Sequence, residues 1–360
     1  MAKIKYALVG FGGIAENRVA KEGYACDRNR FKALKSAELV AATDVNQARK
    51  GAAEALGLKW YDTLDAILAD KAIDAVYIAT NNASHAEIAI KAMKAGKHVI
   101  VEKPIATSVA DAKAMNKLAK QKKLSLTVDH MMVNNAWNIA AKTALSKGKL
   151  GKVNDSCFHM EFAYGYDPAE AATWRCSKVE EMGGPIGDVA SHCFYVAEFI
   201  FGKKIKKLGA VYYPKVMKIK SEDGAYIKFF FEDGTQGSVN CAFSEMRGGL
   251  AGTLTNLGYE IYGDKAAMRG YGTMFQLSGY EDEPIKMRLE LDDGKKVEAV
   301  KPGKIQNIYS TLIENHAKSI LEKKPLNADD AIHNLALCAA AHESAAKGGK
   351  IVASAGVERR

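Results

Sequence analysis

A chain of 360 residues with 48% hydrophobic content is long enough to bury two cores, so two domains sharing a cleft are expected rather than one small module. Lys and Arg outnumber Asp and Glu by 51 to 42, a net charge of +9, but Lys113, Lys117, Lys120, Lys142, Lys147 and Lys152 are scattered as on solvated helix faces, not gathered into a nucleic-acid stripe. The six cysteines (Cys26, Cys157, Cys176, Cys193, Cys241, Cys338) contain no Cys-x-x-Cys pair and no apolar run reaches roughly 18 residues, so neither a metal, a disulfide framework nor a membrane span is expected, and the cytoplasm is the simplest location.

Residues 4–9 alternate as a half-buried strand and run straight into glycines, the pattern of a first strand rather than of a secretory leader. The turn that follows, Gly10-Phe11-Gly12-Gly13-Ile14-Ala15, is a Gly-x-Gly-x-x-Ala dinucleotide fingerprint. Gly10 permits the tight turn, Gly12 lets a pyrophosphate approach the backbone, and Ala15 lets the helix pack closely on the strand. Exposed amides at the helix start are expected to meet the phosphates, and Phe11, Gly13 and Ile14 are counted with the glycines as cofactor-binding.

A second strand, 38–43, ends in Asp44, a carboxylate placed to accept hydrogen bonds from an adenosine ribose. A 2′-phosphate would be repelled there, which favours NAD over NADP, although Arg49 lies near enough to soften the preference. Asp44 read alone is also compatible with an ordinary turn before Val45 and Asn46. It lies farther from the glycines than the usual separation of about 20 residues, so 21–35, with Asp27-Arg28-Asn29-Arg30, is read as an insertion between helix and strand.

Helices 47–56 and 63–69, strand 75–79, helix 84–95, strand 98–101, helix 108–122 and strand 125–128 continue the alternation, the signature of a doubly wound parallel sheet of Rossmann type over 1–129. The turn containing Thr80, Asn81, Asn82, Ser84 and His85 follows a strand at the carboxyl edge, where it lines the dinucleotide or serves as a plain turn with Ser84 capping the next helix. Strand 98–101 closes on Glu102-Lys103-Pro104. Pro104 removes a backbone donor and holds φ at about −65°, so the chain leaves the sheet and Lys103 projects from the edge where ligands bind.

From residue 153 the texture changes to strands at 153–162, 205–216, 225–231, 236–243, 253–262 and 286–291, with hairpin turns at 232–234 and 292–294. The expectation is a second, α+β domain over 130–360 with a large, mostly antiparallel open sheet, one face of it available for a homodimer or homotetramer. Helices 307–322 and 329–347 close the chain, the last expected to pack back near the first domain. Within this half, Gly183-Gly184-Pro185-Ile186-Gly187-Asp188-Val189-Ala190-Ser191-His192 sets Asp188 and His192 four residues apart, one turn apart on a helix face. The glycines are expected to let the backbone approach a ligand. A neutral imidazole accepts a hydroxyl proton near neutral pH, as oxidation of an alcohol requires. Without a cofactor site elsewhere, a capping Asp188 and a core His192 would be the plainer reading.

These residues together resemble the glucose-fructose oxidoreductase, inositol dehydrogenase and rhizopine-catabolism family, Gfo/Idh/MocA. The likeness covers nearly the whole chain: the Gly10 to Ala15 turn, Ala79-Thr80 with His85, Gly96 through Glu102-Lys103-Pro104, Gly148 to Val153, Trp174-Arg175, the Gly183 to His192 segment and Ala340 to Ala345. The resemblance implies a nicotinamide-dependent dehydrogenase of sugars or cyclic polyols. Carried over, Lys103 bridges substrate hydroxyl and nicotinamide ribose, Asp188 orients the sugar, His192 is the acid/base, and Trp174 and Arg175 lie beside cofactor and substrate. The sequence departs from the family pattern at Asn81, where many members have proline, and at Pro185 and Ala190, where glycine is common. It also departs at His130, near the place of a frequent arginine; His130 contributes to substrate choice or is structural. Substrate specificity is expected in the loops 162–175 and 247–256. Redox-neutral glycoside cleavage with tightly held NAD, and a non-catalytic sugar or NAD sensor, are the alternatives; retention of Lys103, Asp188 and His192 argues against the sensor.

Overall fold

The computed structural model describes residues 3–245 and 257–354, which form two compact units: 3–131 with 307–332, and 132–245 and 257–306 with 333–354. The first is built on a six-stranded parallel sheet of β1 (Ile4–Val9), β2 (Ala37–Thr43), β3 (Lys59–Trp60), β4 (Ala75–Ile78), β5 (His98–Val101) and β6 (Leu126–Val128), in the order β3-β2-β1-β4-β5-β6. This is the doubly wound order, with its switch point between β1 and β4. β4 is buried along its whole length, as a strand covered on both faces by helices must be.

Side chains start the helices where the sequence places capping residues. Thr63 accepts from the Ala66 amide ahead of helix Leu64–Ala69, and Ser108 accepts from the Asp111 amide ahead of Val109–Lys122. Helix Ala15–Gly23 is wound wide, with the Tyr24 amide bonding five residues back to Val19. The segment after it does more than lengthen a connection, because Tyr24 packs its ring 5.3 Å from that of Tyr6, within the core.

Residues 307–332 return to this unit through helix Ile308–Leu321. Tyr309 and Ile313 close on Gly23, where a Cβ would lie 3.1 Å from each, and His316 Nδ1 is 2.7 Å from Tyr6 Oη. The returning helix is therefore Ile308–Leu321; the last helix, Asp329–Ala346, belongs to the second unit from His333 onward.

The second unit carries β7 (Val153–Glu161), β8 (Ile205–Tyr212), β9 (Gly224–Phe231), β10 (Gln236–Ala242), β11 (Leu257–Gly263), β12 (Ala267–Tyr271), β13 (Arg288–Asp292), β14 (Val297–Ala299) and β15 (Val352–Ala353). Among the described residues they form one sheet in the order β14-β13-β12-β11-β7-β10-β9-β8-β15, antiparallel except for the β7–β10 pair. Gly234 and Gly294 take positive φ in the expected hairpins. One sheet face is apolar, with Phe158, Phe229 and Tyr259 stacked in sequence and fully buried. The strand expected at 253–262 begins at Leu257 among the described residues, and the expected specificity loop 247–256 lies outside them.

Candidate active site

In the first unit the candidate site is made by loops at the carboxyl edge of the parallel sheet. Gly10 has φ +89°, and a Cβ on it would sit 2.7 Å from the Ala79 carbonyl oxygen, so the turn between β1 and its helix is closed to other residues. Gly12 and Gly13 differ: a Cβ there would meet nothing within 4 Å, and both, with Ile14, are exposed. The result is an open stretch of backbone at a helix start, a cradle of the kind a dinucleotide phosphate fills. Phe11, expected among the cofactor-binding residues, donates its N–H to Asp44 Oδ2 and buries its ring. Asp44 also accepts from the Asn46 amide at 2.8 Å, so its carboxylate is fixed at the end of β2. Arg49 donates from Nε to the Phe11 carbonyl at 2.7 Å and pairs with Glu16, which anchors its guanidinium to the turn.

The next loop is internally bonded. Ser84 Oγ donates to the Asn81 carbonyl at 2.9 Å and meets Thr80 Oγ1 at 2.7 Å, while Asn82 is buried. His85, expected at the cofactor, is fully buried: Nδ1 donates to the Pro104 carbonyl at 2.8 Å and Nε2 lies 3.2 Å from the Thr80 carbonyl. Burial lowers the pKa of this imidazole, against the pull of the Pro104 and Thr80 carbonyls. Its place is that of a clamp joining the Thr80 turn to the Pro104 loop rather than a ligand contact.

Lys103 is buried beside two acids. Glu102 follows directly on β5, and Asp129 follows β6 with its amide bonded to the Val101 carbonyl at 2.9 Å. Tyr77, from the middle of β4, donates to Asp129 Oδ2 at 2.5 Å and lies 3.2 Å from Glu102 Oε1. Burial and then the neighbouring Glu102 charge push the Asp129 carboxyl well up; burial also raises Glu102, against the pull of the Lys103 ammonium. The two carboxyls therefore titrate as a pair, and Asp129 is the one whose neutral form is favoured more strongly. Tyr77 and Asp129 were not anticipated from the sequence as part of this constellation. His130 follows, buried at the end of the same strand.

In the second unit, helical turn Ile186–Ala190 runs into helix Ser191–Phe201, and both Asp188 and His192 are buried. Arg175, from the short helix Trp174–Ser177, places Nε 3.2 Å from Asp188 Oδ2, with its guanidinium 4.7 Å from the Trp174 ring centre. Gln276 Nε2 lies 3.4 Å from His192 Nε2 as a donor.

The glycines before Asp188 serve a different purpose from the one expected. A Cβ on Gly183 would lie 2.5 Å from the Trp174 carbonyl, on Gly187 2.2 Å from the Met182 carbonyl, and on Gly184, at φ +87°, 2.4 Å from a Glu222 carboxylate oxygen. They admit the protein's own backbone and an acid rather than a ligand. Glu222 accepts from the Ile186 amide at 2.8 Å, and burial raises its carboxyl to about 7. Neither Glu222 nor Gln276 carries a local sequence signal. A separate crevice of about 750 Å³, lined by Lys142, Lys152, Lys203 and Asp233 among others, contains none of the candidate residues.

Residues 4–130 match the model of the oxidoreductase family with an NAD-binding Rossmann fold, and residues 139–269 match the GFO/IDH/MocA C-terminal domain. The chain belongs to the Gfo/Idh/MocA family. It is 29% identical over 234 residues to 1,5-anhydro-D-fructose reductase of Ensifer adhaerens, covering 64% of this chain and 67% of that one. It is 26% identical over 248 residues to scyllo-inositol 2-dehydrogenase (NAD(+)) of Bacillus subtilis, covering 67% of each. A levoglucosan dehydrogenase solved with NADH and L-sorbose shares the fold at a TM-score of 0.81, with 22% identity over 98% of this chain and 99% of that one. The Gfo/Idh/MocA model thus accounts for the open glycine cradle and the carboxylate closing β2: both fit NAD.

Proposed function

We propose that this Gfo/Idh/MocA protein is an NAD-dependent oxidoreductase that oxidises a secondary hydroxyl of a sugar, glycoside or cyclic polyol, or reduces the corresponding ketone. The observation that carries the reading is Lys103, buried against the Glu102 and Asp129 acid pair at the carboxyl edge of an NAD-binding sheet. The activities for which the anhydrofructose reductase and the inositol dehydrogenase are named support the substrate class.

The residues proposed to hold NAD are Gly10, Gly12, Gly13 and Ile14 at the pyrophosphate, Asp44 at the adenosine ribose, and Thr80, Asn81 and Asn82 along the edge. Glu102, Lys103, Trp174 and Arg175 are proposed at the nicotinamide end. Bound NAD supplies the hydride acceptor. Lys103 donates to the substrate hydroxyl oxygen and steadies the negative charge that gathers there as its proton leaves. His192 takes that proton, with Gln276 orienting the ring. Asp188, held by Arg175, accepts hydrogen bonds from neighbouring substrate hydroxyls, and His130 bears on substrate choice. The Asp44 carboxylate supports NAD over NADP.

A cytoplasmic homodimer or homotetramer is proposed, formed through the open sheet. Val211, Tyr226 and Tyr262 on its strands are 40% or more exposed and offer apolar surface. Among the described residues no helix is long and apolar enough to cross a membrane.

The test is NADH formation, followed by its near-ultraviolet absorbance, while the protein with NAD or NADP is offered sugars, cyclitols and glycosides. Signal with NAD that Lys103→Ala and His192→Ala both remove is the expected result. Silence across the panel despite tight NAD binding would move the weight to redox-neutral cleavage or a sensor.

A further inference from the structure

We propose that Cys157, His159 and Glu260 form a binding site for a divalent transition-metal ion of the zinc class on the open face of the nine-stranded sheet. Strand register brings them together. β7 and β11 are antiparallel neighbours, with Glu260 directly opposite Cys157 and Gly258 opposite His159. Cross-strand partners stand about 4.5–5.5 Å apart at Cβ, and residues 157 and 159 share a face because side chains alternate along a strand. Gly258 puts no side chain beside His159, so the imidazole leans to Glu260, with Nε2 2.9 Å from Oε2. Cys157 Sγ, a His159 ring nitrogen and a Glu260 oxygen all lie within 4.8 Å of one another.

A thiolate, an imidazole and a carboxylate are donor types that zinc accepts, and bonds of about 2.0–2.3 Å in a tetrahedron put donors roughly 3.4–3.7 Å apart. Small side-chain rotations reach that spacing. The second shell is already in place. His159 Nδ1 lies 3.0 Å from Glu161 Oε2, and Glu161, itself buried, also accepts from Tyr213 Oη at 3.2 Å. A carboxylate on the far ring nitrogen fixes the tautomer that turns Nε2 to a metal. The His159 and Glu260 side chains are 19% and 23% exposed in the single chain, so an ion has access before this face pairs with a second copy, and a water completes the fourth position.

Metal ligation needs a thiolate and a bare Nε2, so an incoming ion displaces the protons of both donors, and its affinity falls as pH falls. The cysteine spacing that excluded a metal from the sequence missed this site because Glu260 is supplied by a distant strand.

Metal-stripped full-length protein titrated with Co²⁺ tests the assignment. The expected result is a thiolate-to-cobalt charge-transfer band with intense tetrahedral d–d bands, saturating at one ion per chain and bleached by Zn²⁺. Cys157→Ser removes the charge-transfer band and His159→Gln abolishes stoichiometric binding, while Glu161→Gln, which alters only the outer partner, weakens affinity by roughly tenfold to a hundredfold. Circular dichroism confirms that each variant folds; should one misfold, the wild-type spectrum and its displacement by Zn²⁺ still decide. Weak octahedral bands alone, absence of charge transfer, or a charge-transfer band that survives Cys157→Ser overturns the proposal.

Discussion

Tyr77 donates its phenolic hydrogen to Asp129 at 2.5 Å, and through that bond the centre of β4 supports the acid that faces Glu102. If Asp129 carries the shared proton, Asn at 129 supplies a donor in the same place. Asp129→Asn is then expected to cost little stability, whereas Asp129→Ala, which removes the shorter of the Tyr77 hydroxyl's two acceptors and leaves a buried gap beside Glu102, costs about 1–3 kcal/mol. Urea unfolding of the two variants compares them directly. Equal losses would assign the proton to Glu102 instead.

Arg175 and Asp188 form one positioning unit in the second unit of the chain. Arg175→Lys keeps the charge but not the planar donor fork, so kcat/KM for the sugar is expected to fall at least about tenfold, carried largely by KM. Steady-state kinetics separates the two parameters. An unchanged KM would show that Asp188 holds its position without Arg175.

Asp44→Ala removes both the proposed ribose acceptor and the bond from the Phe11 amide. Affinity for NAD and NADP should both drop because the glycine turn loosens, but the NAD loss should be the larger by about tenfold, since NADP is relieved of a repelling carboxylate. Cofactor titrations of intrinsic fluorescence give the ratio. A parallel loss for both cofactors would confine Asp44 to the turn.

Much of the cofactor half was legible in the sequence because its signals are local. Gly10, Asp44 and Lys103 each closely follow a strand and Ala15 opens the first helix, and strand, turn and helix are contiguous text. What escaped depends on partners far along the chain: Tyr77 with Asp129, Gln276 with His192, and Gly184 with Glu222. Glycines 183, 184 and 187 announced a close approach without saying to what, and the answer is the protein itself. His85 carried a family signal for cofactor contact, yet only the fold reveals that both its nitrogens face carbonyls.

Acid should destabilise this fold earlier than carboxylate titration alone would. His316, sealed in the core against Tyr6, is pulled down to about 3 by burial, and His342 to about 4. Between an ordinary histidine pKa of about 6.5 and those values the unfolded chain binds protons that the native chain does not. Stability from each is present above that range and lost as pH falls through it, at up to about 1.4 kcal/mol per pH unit per histidine. His316→Gln should flatten the decline in Tm below neutrality. A slope identical to wild type would mean that His316 is protonated in the native state.

The most direct test of hydride transfer uses the best substrate of the panel with deuterium on the carbinol carbon. NADH recovered after turnover is expected to carry that deuterium, transferred without exchange, and none should form with His192→Ala. Deuterium appearing in solvent, or in a cleaved product while no NADH accumulates, would contradict the assignment of this chain as a dehydrogenase.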